Sequence, residues 1–212
     1  MRKLEIITGI FFLIALIFYF NLIVGDSILL FFTLAILALV YFPLGFALFN
    51  NIPLKKVFKK ESYKGLSSLQ IISSVVLGIA LSEICLGAQS KLLHRPYAKL
   101  HLTVGVFFLF IALVLFIILF SKSKNSFSKS IITRMVIFGI FSLFLLNVSD
   151  LTLIKIQFRN HPRYIEAFQN YLKNPKSEEL NVKLDIEYRR ATYPKNEFDI
   201  YMRFEHPEYK EN

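Results

Sequence analysis

Residues 102–120 read LTVGVFFLFIALVLFIILF, an apolar run without a single charged side chain. At a helical rise of about 1.5 Å per residue, a run of this length crosses a hydrocarbon core of roughly 30 Å. Four more near-continuous apolar runs occupy residues 6–24, 27–49, 69–88 and 131–148, the last two interrupted only by Glu83 and Arg134. Five crossings follow, so the expected fold is an all-α polytopic membrane protein: a transmembrane helical domain at 1–149 and an extracytoplasmic segment at 150–212. The bulk composition agrees. The 212 residues are 55% hydrophobic with a mean hydropathy of +0.52; soluble domains carry roughly 45–50% apolar residues, and the excess must face lipid. The first run follows Met1-Arg2-Lys3 but is too long for a signal peptide and lacks a small-x-small cleavage site near Val24-Gly25-Asp26, so it reads as an uncleaved anchor.

The net charge of +10 belongs entirely to the helical part: residues 1–149 hold 14 Lys and Arg against 4 Asp and Glu, while residues 150–212 are balanced at 11 of each. These cations sit in short loops between spans, where topology and anionic head groups account for them, so no nucleic-acid partner is expected. One side collects Arg2, Lys3, Lys55, Lys56, Lys59, Lys60, Lys64, Lys122, Lys124, Lys129 and Arg134. The other has Lys91, Arg95 and Lys99, with Lys155, Arg159 and Arg163 after the last span. Eleven against six places the N-terminus in the cytoplasm and the C-terminus outside.

Ionisable residues inside spans are costly and are the natural places to seek function. Glu83, in the third helix, is a candidate coupling group or an interfacial acid within reach of Lys91 or Arg95, with His94 in the same turn. Arg134, in the first turn of the last span, needs only to snorkel to the interface. Ser74, Gly78 and Ser82 recur at every fourth position of the third helix, the spacing that lets two helices approach closely. Pro43 and Gly45 are positioned to kink the second helix. Cys85 is the lone cysteine, and His94, His101, His161 and His206 show no ligand spacing, so neither a metal nor another cofactor is expected. No Ser-His-Asp set, phosphate loop or paired carboxylate stands out.

The helical part also reads as two duplicated hairpins plus one helix. Leu4, Ile6, Ile7, Ile14, Ala15 and Leu16 recur 65 positions later as Leu69, Ile71, Ile72, Ile79, Ala80 and Leu81; Ala38, Leu39, Val40 and Phe42 recur 74 positions later as Ala112, Leu113, Val114 and Phe116. The step from 65 to 74 implies a longer turn in the second hairpin. That turn, Lys91-Leu92-Leu93-His94-Arg95-Pro96-Tyr97-Ala98-Lys99-Leu100, followed by Leu102-Thr103-Val104-Gly105, resembles the hairpin turn of GldL-type inner-membrane proteins of bacterial gliding motility and type IX secretion. Those proteins read lysine, two apolar residues, then His-Trp-Pro-Gly-Ala. Leu39-Val40-Tyr41-Phe42-Pro43-Leu44 resembles the end of the second helix in relatives built of two such hairpins. The likeness implies a Bacteroidetes cell-envelope membrane protein. Arg95 and Tyr97 replace the family's Trp and Gly, and no carboxylate follows Gly105; the family's motor role rests on such an acid, so the departure argues against a motor. A fainter resemblance is to four-helix DoxX-like membrane proteins.

Beyond Asp150 the pattern changes. Tyr164, Ile165, Phe168, Tyr171 and Leu172 fall at helical spacing, which predicts a helix over 162–173 that Asn174-Pro175 ends. Val182, Leu184, Ile186 and Tyr188, and again Phe198, Ile200, Met202 and Phe204, alternate with polar residues. The alternation predicts a β-hairpin turning at 192–196, hence a small extramembrane α+β segment. A helix competes, since Ser177-Glu178-Glu179 is a good helix start and Glu179 with Lys183, and Asp185 with Arg189, are i,i+4 pairs. The leading functional expectation is a non-enzymatic membrane accessory or scaffold subunit that contacts the lipid bilayer and a membrane or periplasmic protein partner. The alternatives are a small proton- or ion-coupled transporter using Glu83 and, third, an intramembrane enzyme using His94, Arg95 and Glu83.

Overall fold

The computed structural model describes residues 2–122 and 129–206; Met1, at the head of the first run, and Lys124, which entered the charge reading, lie outside them. Among the described residues the regular structure is nine α-helices and two short 3₁₀ turns, Leu54–Lys56 and Lys60–Tyr63, with no strand. Helices α1 (Arg2–Phe20), α2 (Asp26–Phe49), α3 (Ser68–Leu92), α4 (Ala98–Lys122) and α5 (Lys129–Asn147) are the five long and apolar enough to cross a membrane. The chain divides into two compact units, Met1–Leu16 with Gly25–Val148, and Ile17–Val24 with Ser149–Asn212.

In the first unit α3 is the most deeply packed helix, with α2 and α4 against it. Lipid tails are as apolar as leucine, so close backbone approach rather than hydrophobic exclusion must hold such helices together. Glycine supplies that approach. A Cβ on Gly78 would stand 2.6 Å from the Tyr41 carbonyl oxygen, and one on Gly45 would stand 2.8 Å from the Gly78 Cα. On the other flank a Cβ on Gly105 would meet the Ile84 backbone nitrogen at 3.0 Å. Helix α2 runs without a break through Pro43, and Gly45 serves contact with α3. Where α2 ends and α3 begins, the Asn50 amide donates to Ser74 Oγ at 3.0 Å and accepts from Gln70 Nε2 at 3.1 Å, so backbone contact and polar bonds fix the same helix pair.

The two hairpin turns share one backbone conformation. Ile23 N–H bonds back to the Phe18 carbonyl at 3.1 Å and Arg95 N–H to the Ser90 carbonyl at 2.7 Å, with Leu22 and His94 both at φ 51°. Gly25 (φ 87°) and Tyr97 (φ 67°) occupy the equivalent left-handed position, each pair 72 residues apart. This corrects the expected longer second turn. The turns are equal in length; the offset grows from 65 to 72 within α3, between Leu81 and Ser90, and from 72 to 74 within α4, after Tyr97.

The second unit contains α6 (Asp150–Gln157), α7 (Pro162–Lys173), α8 (Glu178–Thr192) and α9 (Lys195–Glu205). The expected helix over 162–173 is α7. The expected β-hairpin, and with it the α+β segment, is overturned, because residues 180–204 lie in α8 and α9 apart from the short junction between them. Local chemistry explains the outcome. Ser177 Oγ accepts from Leu180 N–H at 3.3 Å, Glu178 and Glu179 sit at the positive end of the α8 dipole, and Arg189 and Arg190 sit at its negative end. Arg189 bonds Asp185 one turn back at 2.9 Å, and Pro194 in the proposed turn instead opens α9. Buried Ile154, Phe158 and Tyr164 form the core, joined by Leu22, Phe168, Leu184 and Ala191. The Phe158 and Tyr164 rings lie 4.2 Å apart.

Candidate functional site

Within the apolar first unit, the charged side chains brought together by the fold are informative because each must be compensated locally. The largest such cluster joins α1, α2 and α5. Arg134 Nε donates to Glu5 Oε1 at 2.6 Å, its Nη2 donates to Oε2, and its Nη1 donates to the carbonyl (2.9 Å) and hydroxyl of Ser130 one turn earlier. Tyr41 Oη donates to Glu5 Oε1 at 2.8 Å. The fork of the guanidinium thus matches the carboxylate bidentately. The side chains of Glu5 and Arg134 are only 11% and 14% exposed.

Each partner is held from behind. The guanidinium lies 5.7 Å from the centre of the Phe49 ring, and Tyr41 is wedged between Phe49 and Phe138, at ring separations of 6.4 and 5.5 Å. Glu5 falls in the first turn of α1, where the helix dipole favours an anion. Arg134 has no accessible neutral form, so a buried guanidinium requires its anion; removal of one partner from such a pair costs about 3–5 kcal/mol.

Two cavities adjoin at this ion pair. An apolar cleft of about 520 Å³ runs between α1, α2 and α5 and reaches Cys85 of α3, with Gly9, Leu13, Leu37 and Phe141 in its walls. A more open, polar cavity of about 440 Å³ is lined by Arg2, Lys129, Ser130 and Thr133, at the starts of α1 and α5. Glu5, Ile6 and Arg134 line both.

The second polar cluster lies between α3 and α4, where Glu83 Oε2 meets His101 Nδ1 at 2.8 Å, both side chains partly exposed. Nearby in the chain, Gln89 Nε2 donates to the Phe31 carbonyl at 2.8 Å and the Arg95 guanidinium stacks 5.0 Å from the Phe31 ring. Lys91 is in the last turn of α3, and His94 takes the left-handed conformation of the turn that follows. Ser74, Gly78 and Ser82 are buried along α3; Gly78 faces Tyr41 and Gly45, and Ser74 faces Asn50.

Position inside an apolar run singles out Glu83 and Arg134 but not Glu5, Tyr41 or Ser130, the other members of the larger cluster. A search for acids close to the start of an apolar run, paired with any cation inside another, would have found Glu5. Among the described residues no three His, Cys, Asp or Glu side chains converge as a metal site would require. Compared with known protein families, curated proteins and solved structures, the chain matches none.

Proposed function

We propose that the chain is a non-enzymatic, multi-pass accessory or scaffold subunit of a bacterial cell-envelope complex, inserted in the inner membrane with its N-terminus cytoplasmic and its C-terminus outside. The observation that carries this reading is how the intramembrane acids are used. Glu5 is neutralised by Arg134 and bonded by Tyr41, and Glu83 is held by His101. Groups locked in bidentate or hydrogen-bonded pairs tie helices together; a proton path instead needs a carboxyl that exchanges its proton with a succession of neighbours. The likeness of residues 91–105 to GldL-type hairpins also supports an envelope role. Tyr97, where that family carries glycine, has a left-handed backbone, the conformation that favours glycine.

A second reading keeps Glu83 as the coupling group of a small proton-coupled transporter. What favours it is the His101 partner, since the two ring nitrogens of an imidazole can accept a proton on one side and donate one on the other, a relay partner for a carboxylate. The test is affinity purification of the intact chain and of Glu83→Gln in mild detergent, with proton flux measured on both in proteoliposomes. The scaffold reading expects a stoichiometric protein partner retained by the variant, and no flux from either. A lone monomer or small homo-oligomer whose proton flux is abolished by Glu83→Gln would replace it with the transporter.

A further inference from the structure

We propose that the first unit holds one anionic phospholipid, its phosphate in the polar cavity at the starts of α1 and α5 and one acyl chain in the adjoining apolar cleft. The inference needs the membrane reading but not the scaffold role. Ligand sites are concave, apolar over most of their wall, and polar at a few convergent points, with volumes of about 300–1,000 Å³. The two cavities together have this form. The cleft, at about 520 Å³, is walled by aliphatic and aromatic side chains. The polar cavity, at about 440 Å³, shares Glu5, Ile6 and Arg134 with it, so an amphiphile can span both.

The charge selects an anion. Among the described residues Glu5 is the acid lining the polar cavity, and Arg134 already neutralises it, which leaves Arg2 and Lys129 to set a net positive charge. Ser130 Oγ accepts from Arg134, so its own hydroxyl proton points elsewhere and can be donated. Two cations and a hydroxyl suit phosphodiester oxygens, and basic pockets between membrane helices bind such head groups. The cleft has room where the chain would lie. Gly9 lines it, and a Cβ added there would find no atom within 4 Å.

The experiment titrates the delipidated full-length chain, in mild detergent, with phosphatidylglycerol and phosphatidylcholine carrying the same fluorescent acyl chain. The expected result is one site per chain with at least a tenfold preference for phosphatidylglycerol. Replacement of both cations, Arg2→Gln with Lys129→Gln, should abolish that preference and weaken phosphatidylglycerol binding on the order of twenty-fivefold, about fivefold for each lost cation. Gly9→Phe should fill the cleft and weaken both lipids at least tenfold at unchanged helix content, with Gly9→Leu as the smaller substitution should Phe disturb the fold. Equal affinity for the two lipids in the native chain, or undiminished binding in a well-folded Gly9 variant, overturns the proposal. Full displacement of the bound lipid by inorganic phosphate would also overturn it, by assigning the polar cavity to a soluble anion.

Discussion

Removing Arg134 should destabilise this protein more than almost any other single change in its apolar unit, and the structure sets the size of the effect. Arg134→Gln deletes two charge-assisted hydrogen bonds to Glu5 and the bonds to Ser130, leaving the carboxylate, among the described residues, with Tyr41 as its bonded partner. Hydrogen bonds to charged groups contribute about 1.5–3 kcal/mol each, and breaking a buried pair from one side costs about 3–5 kcal/mol. For a chain of this length each kcal/mol corresponds to about 2–4 °C of melting temperature, so a loss on the order of 6–20 °C is expected. Glu5→Gln should cost as much, since the guanidinium it strands cannot neutralise. The double variant, Glu5→Gln with Arg134→Gln, leaves no unpaired charge and should recover most of the loss. Thermal unfolding of the three variants in detergent, followed by helical circular dichroism, makes a double-mutant cycle. Single variants within 2 °C of the native chain (a cutoff of about 1 kcal/mol), or strictly additive losses, would refute the claim that this pair is buried and coupled.

Two glycines should respond in opposite senses to the same substitution. Gly78→Ala places its Cβ 2.6 Å from the Tyr41 carbonyl and should cost about 1–3 kcal/mol, whereas Gly9→Ala meets nothing within 4 Å and should stabilise α1 by up to about 1 kcal/mol. Matched losses in the two melting curves would remove the case for close approach of α2 and α3. In the second unit, burial and the bond to Asp185 push the Tyr201 hydroxyl up to about 12 from its ordinary 10.0. The stability this supplies is fully present below pH 10 and lost as pH rises through about 12, because only the neutral phenol donates to Asp185. Tyr201→Phe should flatten the denaturant midpoint of the full chain across that interval, and an unchanged pH profile would contradict the assignment.

The five apolar helices were legible because uninterrupted runs of that length have few other uses, and α7 was legible because its apolar residues repeat at helical spacing. The larger ion cluster was not. Glu5 precedes the first apolar run by one residue and so reads as a solvated end, while its partner Arg134 lies 129 positions away with no local pattern to join them. Glu83 stood out by the cost of an acid within a span, but sequence proximity pointed to Lys91 and Arg95, whereas helix packing delivers His101. Residues 182–188 alternate like a strand, but caps, dipole charges and an i,i+4 pair all favour α8, and these local terms prevail. The equality of the two hairpin turns was hidden because identities at 65 and 74 positions track interchangeable Ile and Leu residues. The conserved quantity is backbone conformation, at a spacing of 72.

If the five apolar helices each cross the bilayer, three of them, α3, α4 and α5, lie between Lys60 and Asn174. Single cysteines at these two positions, in a chain with Cys85→Ser, can be probed in intact cells with a membrane-impermeant thiol reagent. Labelling is expected at residue 174, and none at residue 60 until the membrane is permeabilised. Labelling of both positions, or of neither, in intact cells would contradict these crossings, because an odd number of them cannot leave the two on one side.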